Sequence, residues 1–384
     1  MTAEYHRLGD YIREVNVRNR ELNVTNLLGL SMTKQFRPST SNIVGVDLSN
    51  YKIVNQNTFA FDPMSVIRVH KVPIAINDMA TPIIVSPAYY TFEVLDTSKL
   101  LPQYLMMWIM RPEFDRYADF KSDSAVRGGY DWKEFCDTPI CVPSIERQRA
   151  IVSEYETLTR RIRLNEQMIE KLEATAQALY RKMFVDGIDK ENLPEGWRMG
   201  KISDFGEVVT GKTPSTLDES NFGDYMPFVT IPDMHNGFYV IKTERGLSRK
   251  GVSMQSNKIV PKNSICVSCI GTSGLVVITP QECQTNQQIN TIVPRKEYAL
   301  EYIYLTCCGL EKSIAEYGMG AAVLNNLNKS EYENLQVMLP SDDAMKSFHK
   351  QGAPIFHTVY LKQLENEKST ELQSLLLARN NHIV

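Results

Sequence analysis

A run of residues at heptad spacing between residues 144 and 186 constrains this chain more than any other feature. The run alternates steps of four and three residues, and all but one of its members are apolar or aromatic: Ile151, Tyr155, Leu158, Ile162, Asn165, Ile169, Leu172, Ala176, Leu179 and Met183. Because a 3.5-residue repeat keeps one side of a helix against a partner, the pattern predicts a coiled-coil helix. That side is about 50 Å long at 1.5 Å per residue.

The predicted helix has recognisable ends and one polar position in its apolar side. Ser144 follows Pro143 and suits an N-cap, and Gly187 suits a C-terminal stop. Asn165 has two interpretations. It pairs inside the coiled coil, where it disfavours wrong registers, or it lies at a solvated edge.

The composition fits a soluble globular protein of two domains and a connector. The chain has 384 residues, 43% of them hydrophobic, and a net charge of −3. The apolar run at residues 104–110 is too short for a membrane span, and the N-terminal sequence predicts no signal peptide. Seven cysteines without framework spacing predict reduced thiols and a cytoplasmic location.

The sequence contains an internal repeat. Residues 124–144 align without gaps on residues 321–341, and both segments end in an apolar run followed by Pro-Ser. We therefore predict a globular unit over 1–143, a long helix over 144–186, a linker over 187–194, a second unit over 195–340 and a second helix over 341–384.

The second helix is less regular than the first. Its apolar candidates are Phe348, Ile355, Val359, Leu361, Leu364, Leu372, Leu375 and Leu376. The segment Gly352-Ala353-Pro354 should kink or restart the helix, because proline removes a donor and crowds the preceding turn. Each long helix has an apolar face, so we expect them to pack together.

Short apolar runs broken by Gly, Pro, Asn and Ser fill both units. They predict β-strands, for example within 71–76, 81–85, 264–268 and 275–278. Residues 101–111 and 299–311 predict short helices. The units are thus expected to be mixed and rich in strands.

Residues 206–213 match the nucleotide-binding pattern G-x-x-x-x-G-K-T. That site requires a helix directly after the loop, and the Pro-Ser-Thr that follows here begins no apolar helical period. Cys266-x-x-Cys269 lacks a second pair at zinc-finger spacing, so a buried thiol pair is expected. The residues therefore favour a binding protein without catalytic residues or metal ligands.

Basic and amide side chains form candidate contacts to DNA. Lys and Arg suit phosphates, whereas Asn and Gln pair with adenine edges. The candidates are Lys34, Arg37, Arg68, Arg127, Lys212, Lys242, Arg245, Arg249, Lys250, Gln287 and Asn325. The alternative for each is an ordinary solvated face or turn.

The chain resembles the specificity subunit of a type I restriction–modification enzyme. The resemblance rests on the repeated order of unit and helix, the Pro-Ser junctions at residues 143 and 340, and the helix segment 165–184. It also rests on the sequence Leu-Pro-Glu-Gly-Trp-Arg at 193–198, followed by Gly-Lys-Thr-Pro at 211–214. The first unit departs from the pattern, with Val-Arg-Asn-Arg at 17–20 where the second has Gly-Lys-Thr-Pro.

The resemblance implies an α+β fold with two target-recognition domains, a pseudo-twofold internal repeat, and long helices paired as an antiparallel coiled coil. Each domain would read one half of a bipartite site in double-stranded DNA. The helices would set the spacer and dock two methyltransferase subunits, which bind S-adenosylmethionine. Restriction subunits would bring ATP and Mg²⁺, and this chain would bind no cofactor and perform no chemistry.

Two other functional classes remain open from the residues alone. One is a coiled-coil bridging protein with no role on DNA, which salt-dependent DNA retention would distinguish. The other is a P-loop enzyme, which nucleotide binding would reveal.

We predict that the purified chain shows no detectable ATP binding and that Lys212→Ala leaves this unchanged, because the loop lacks the following helix. Isothermal titration with Mg-ATP measures it. Tight, saturable binding that Lys212→Ala abolishes would contradict the prediction.

Overall fold

The computed structural model describes residues 5–39, 45–123, 129–235, 237–272, 274–310 and 327–379, without the side chains of Ile67, Arg68 and Asp123. The chain forms two compact units. The first takes residues up to Arg160 and again from Thr370, and the second takes Arg161–Ser369. The division falls within the two long helices, since each unit includes the helix segments that pack on its core.

The described part of the first unit has one four-stranded and three two-stranded antiparallel sheets, together with short helices. Its strands are β1 (Tyr5–Arg7), β2 (Ile12–Glu14), β3 (Leu28–Leu30), β4 (Phe36–Pro38), β5 (Lys52–Val54), β6 (Phe59–Phe61), β7 (Ile74–Ile76), β8 (Ile83–Val85), β9 (Tyr90–Val94) and β10 (Pro139–Cys141). Its helices are α1 (Val66–Val69), α2 (Pro102–Ile109), α3 (Pro112–Asp123) and α4 (Trp132–Cys136), followed by the long helix α5 (Ile145–Phe184). Aromatic rings fill the core, with Phe59 stacked on Phe92 at 4.7 Å between centroids.

The second unit is also built from short strands and helices. Its strands are β11 (Arg198–Lys201), β12 (Gly206–Thr210), β13 (Phe222–Val229), β14 (Arg245–Leu247), β15 (Ile265–Ser268), β16 (Val276–Ile278), β17 (Gln284–Thr285), β18 (Ile289–Pro294) and β19 (Gln336–Leu339). Its helices are α6 (Ile202–Phe205), α7 (Arg249–Ser253), α8 (Leu300–Gly309), α9 (Lys329–Glu333) and the long helix α10 (Asp342–Arg379).

Strand order confirms the internal repeat. The first unit has a four-stranded sheet of order β2-β9-β6-β7, and the second has β12-β18-β15-β16. In each unit a separate pair, β1 with β10 or β11 with β19, joins the first strand of the unit to its last. A long helix follows that last strand in both cases. The repeat seen in the sequence is therefore a repeat of topology.

The heptad positions of α5 are its least exposed face. Ile151, Asn165 and Ala176 are buried, and Tyr155, Leu158, Ile162, Ile169, Leu172, Leu179 and Met183 are half-buried. The residues between them are mostly exposed, including Leu164 and Met168. Since burial follows the 3.5-residue spacing, the helix packs along the side that the sequence predicts.

Asn165 lies in the packed face and not at a solvated edge. Its side chain is only 3% exposed, and its Nδ2 donates to Oδ1 of Asn366 on α10 at 2.9 Å. Within the second unit, the rings of Tyr180 and Phe348 meet edge to face, and Arg161 pairs with Glu365. Asn165 contacts Asn366, and Tyr180, further along α5, contacts Phe348, which is earlier in α10. The two helices are therefore antiparallel within the second unit.

Helix α10 differs from the sequence-based expectation at Pro354. The helix runs unbroken through Pro354, so the expected restart does not occur. Phe348 and Phe356, on either side, are buried in the core of the second unit, and Gly352 lies against the Glu301 side chain. We infer that this burial outweighs the local cost of proline.

The inward face of α10 is more polar than the sequence predicts. Leu361, Leu372 and Leu375, expected to pack inward, are about half exposed or more, at 47%, 50% and 64%. Gln363 and Ser369 are buried instead. Gln363 accepts a hydrogen bond from the backbone N–H of Tyr239, which attaches a loop of the second unit to the helix.

We predict that Asn165→Ala destabilises the fold by about 1–3 kcal/mol, because it removes a buried amide and its hydrogen bond to Asn366. The double variant Asn165→Leu/Asn366→Leu should be close to neutral, since both polar groups are removed together. Chemical denaturation measures both. Equal losses in the single and double variants would contradict an energetic role for the pair.

Candidate nucleic-acid interface

The segment 211–215, here the Lys212 loop, follows strand β12 directly. No helix follows it: residues 211–215 are irregular, and a short 3-10 turn, Glu219–Asn221, comes next. Phosphate binding of the P-loop type needs the N-terminus of a helix at this place. The loop therefore lacks the geometry of a nucleotide site, and Lys212 is left as an exposed cation.

Hydrogen bonds fix the backbone of the Lys212 loop. The Lys212 N–H donates to the Thr285 carbonyl at 2.9 Å, and the Lys212 carbonyl accepts from Nε2 of Gln255 at 2.8 Å. At the far end, Nδ2 of Asn221 donates to the Ser215 carbonyl at 3.0 Å. Gln255 and Asn221 are both buried, so the loop is held from beneath by amide side chains.

Gly211 allows this close approach. A Cβ atom built there would overlap the Thr285 hydroxyl and the carbonyl oxygens of Thr285 and Asn286. A larger residue would push the Lys212 loop away from residues 285–288, which we name the Gln287 loop. The glycine is thus required by packing rather than by phosphate binding.

The Gln287 loop is the second exposed element of the site. Oε1 of Gln287 accepts a hydrogen bond from the Thr213 hydroxyl at 2.5 Å, which connects the two loops. Asn286 is buried and bonds Gln288 twice, through the Gln288 backbone N–H and Oε1. The loop therefore has a defined conformation with the Gln287 side chain at the surface.

Basic side chains around α7 are exposed, and each has a local contact. Lys250 lies 2.7 Å from the Asp218 carboxylate, and its hydrogen bond, with that of Ser220, lowers the pKa of Asp218 to about 2. The guanidinium groups of Arg245 and Arg249 lie over the rings of Phe222 and Tyr225, at 4.0 and 4.9 Å. Stacking holds a guanidinium in place while leaving its donors exposed.

Comparisons with known proteins show what this part of the chain is similar to. Residues 194–376 match the family model described as the type I restriction modification DNA specificity domain. The chain is 38% identical over 214 residues to the type I restriction enzyme HindI specificity subunit of Haemophilus influenzae. It is 30% identical over 160 residues to the MjaIX specificity subunit of Methanocaldococcus jannaschii.

Residues 194–376 are therefore similar to a type I DNA specificity domain, and we call this segment the specificity domain below. The resemblance inferred from the sequence is thereby confirmed. The matched segments cover 54% of this chain and 47% of the HindI subunit, and 40% and 37% for the MjaIX subunit. The chain thus matches less than half the length of either relative.

The fold of the whole chain also has a solved counterpart. The type I restriction–modification S subunit from M. genitalium superposes with a TM-score of 0.60 over 98% of this chain and 95% of that one. The two sequences are 12% identical, so the likeness concerns the fold alone. It extends over the unit that precedes the specificity domain.

Two of the predicted DNA contacts, Lys34 and Lys242, form ion pairs within the chain. Lys34 is 7% exposed, lies 2.8 Å from the Asp115 carboxylate and donates to the Ile109 carbonyl at 2.6 Å. Burial lowers the pKa of Lys34. Lys242, in the specificity domain, is exposed but pairs with Glu367 of α10 at 2.9 Å. The placement of Lys34 does not suit a phosphate contact.

Of the remaining predicted DNA contacts, the structure describes the side chain of Arg37 but not those of three others. Arg37 on β4 is exposed, with its Nε donating to the Leu30 carbonyl at 3.3 Å. Arg127 and Asn325 lie outside the described residues, as does the side chain of Arg68. The interface described here is therefore that of the specificity domain.

Sequence reasoning missed the residues that hold the two loops. Thr213, Asn221, Gln255 and Gln284 position Lys212 and Gln287, and Nε2 of Gln255 also donates to Oε1 of buried Gln284 at 2.7 Å. Only Thr213 had a signal, since it belongs to the Gly-Lys-Thr-Pro segment. The others are distant in sequence and no spacing rule connects them.

The structure also describes the Cys266–Cys269 pair and the arrangement of possible metal ligands. Cys266 and Cys269 are buried free thiols, and burial raises their pKa values to about 12 and about 11. Among the described residues, no group of three or more His, Cys, Asp and Glu side chains is arranged to hold a metal ion. Within the same residues, no helix is long and apolar enough to cross a membrane.

We predict that Gly211→Ala destabilises the specificity domain by about 1–3 kcal/mol, because the added methyl group overlaps backbone oxygens that cannot move freely. Gly309→Ala is the matched control, since a Cβ at Gly309 meets nothing within 4 Å. Thermal denaturation of both variants measures the difference. Equal stability of the two would contradict the packing requirement at Gly211.

Proposed function

We propose that this chain is the sequence-specific DNA-binding subunit of a type I restriction–modification complex. The observation that carries the proposal is the match of residues 194–376 to the DNA specificity domain. The conclusion for the whole chain also draws on the repeated topology, because the four-stranded sheets of the two units have the same strand order. We assign one half of a bipartite target to each unit.

The charges and amides of the second unit support contact with duplex DNA. Lys212, Arg245, Arg249 and Lys250 are exposed cations of the same unit that carries exposed Gln287. Cations bind phosphates in any sequence, while amides at the surface can bond base edges. Together these groups supply both affinity and sequence preference.

The long helices have the complementary role in this proposal. They fix the distance between the two half-sites, and they dock two methyltransferase subunits. Leu164 and Met168 on α5 and Leu372 and Leu375 on α10 expose apolar surface that such docking would cover. Restriction subunits join the same complex for cleavage.

The chemistry in this proposal belongs to the partners. The methyltransferase subunits bind S-adenosylmethionine, and the restriction subunits bind ATP and Mg²⁺. This chain itself binds no cofactor and has no catalytic residues. Its contribution is the choice of the DNA sequence on which the partners act.

Replacing residues 195–340 with the equivalent unit of a relative tests the proposal. One half of the methylated sequence should change, and the other half and the spacer should stay the same, because each unit reads its own half-site. Methylation mapping of a host genome that carries the hybrid gene with its methyltransferase measures this.

The unaltered gene in the same host is the control for the swap. A hybrid that changes both half-sites together would mean that the units form one composite surface. Absence of any salt-dependent DNA retention by the full complex would instead favour the bridging class.

A further inference from the structure

The Gln287 loop presents amide donors rather than amide acceptors. Gln288 shows why. Oδ1 of Asn286 accepts from the backbone N–H of Gln288 at 3.0 Å, and a backbone N–H can only donate. The other end of the Asn286 amide, Nδ2, therefore faces Gln288 and donates to its Oε1 at 3.0 Å. This leaves the NH₂ group of Gln288 for other partners.

The neighbouring Gln287 has the same orientation for a different reason. The Thr213 hydroxyl donates to its Oε1 at 2.5 Å, so the carbonyl end of the amide faces the Lys212 loop. The Gln287 side chain is exposed, and Gln288 is half-exposed. No described residue accepts a hydrogen bond from Nε2 of either glutamine, so both NH₂ groups are available to a ligand.

The support beneath the two loops keeps these orientations. Gln255 donates to the Lys212 carbonyl, and it also bonds Gln284, whose own Nε2 donates to the Gln255 carbonyl at 3.1 Å. Carbonyl oxygens can only accept, so the direction of this network is fixed. Both glutamines are buried. Thr213 is thereby held beside Gln287 on a preorganised backbone.

Resting on the proposed function, we infer that the Gln287 loop reads a guanine through its O6 and N7 acceptors in the major groove, and that Thr213 determines this preference. Guanine shows two acceptors on that edge, whereas adenine shows one acceptor and one donor. A glutamine pairs with adenine through both ends of its amide. Thr213 takes one of the two acceptor positions of Gln287 Oε1 and turns that oxygen toward the Lys212 loop, which disfavours the adenine mode. The outward NH₂ groups of Gln287 and Gln288 instead match the two acceptors of guanine.

Thr213→Val tests this inference, because valine keeps the shape and removes the hydroxyl. Methylation mapping in a host carrying the variant and its methyltransferase should show one guanine of the half-site read by residues 195–340 relaxed to guanine or adenine. The other half-site should not change. The lost discrimination should be about 5- to 150-fold, as for one well-placed base contact.

Thr175→Val is the matched control, since that hydroxyl donates to the Lys171 carbonyl within helix α5. It should leave the methylated sequence unchanged. Arg245→Gln is a second control on the same unit. It should weaken binding to all sequences and reduce the salt dependence without changing the base preference.

A second measurement uses the unaltered complex and does not depend on how a variant folds. Replacing the proposed guanine with 7-deazaguanine removes the N7 acceptor and should weaken binding about 2- to 12-fold, the effect of one hydrogen bond. In the Gln287→Ala complex the same replacement should have no effect.

Two results would overturn the inference while leaving the proposed function intact. One is a half-site for this unit without a G·C pair. The other is specific DNA binding that neither Thr213→Val nor 7-deazaguanine changes. A complex that shows no salt-dependent retention on DNA would instead refute the proposed function itself.

Discussion

Packing against the two long helices is the interaction on which both units depend. In the first unit, Ile151, Val152 and Tyr155 of α5 and Leu377 of α10 join the aromatic core. In the second unit, the core includes Ala176 and Phe184 of α5 and Phe348, Phe356 and Val359 of α10. Neither unit has a complete core without these helix segments, so the helices are part of each unit's fold as well as connectors.

Buried glutamines have the same task in both units, although they lie at different places. Gln148 on α5 is fully buried, accepts from the Leu101 N–H and donates to the carbonyls of Lys99 and Pro143. In the second unit, Gln255 and Gln284 bond the Lys212 loop and each other. Since a buried amide or loop carbonyl without a partner costs stability, each network favours one loop conformation.

The sequence predicts burial where burial follows spacing, and fails where it depends on a distant partner. The heptad positions of α5, the strand-rich units and the internal repeat were all readable, because each is a pattern along the chain. The inward face of α10 is not predictable in this way, because Gln363 and Asn366 lie where leucines are expected. Their hydrogen-bond partners are Tyr239 and Asn165, which are distant in sequence. The charge of Lys34 predicts a DNA contact, but Lys34 pairs with Asp115 in the interior.

At the candidate site, residue type alone does not predict which base a side chain reads. An exposed glutamine offers an acceptor oxygen and an NH₂ group with two donor hydrogens, and its type alone suits any base with a mixed edge. Which end faces outward is decided by neighbours that are themselves fixed by backbone N–H and carbonyl groups. In the Gln287 loop those neighbours are Asn286 and Thr213, and both bind the carbonyl ends. Sequence preference in such a loop therefore depends on its internal hydrogen bonds as much as on the residues at its surface, and exchange of a supporting residue can change the base that is read.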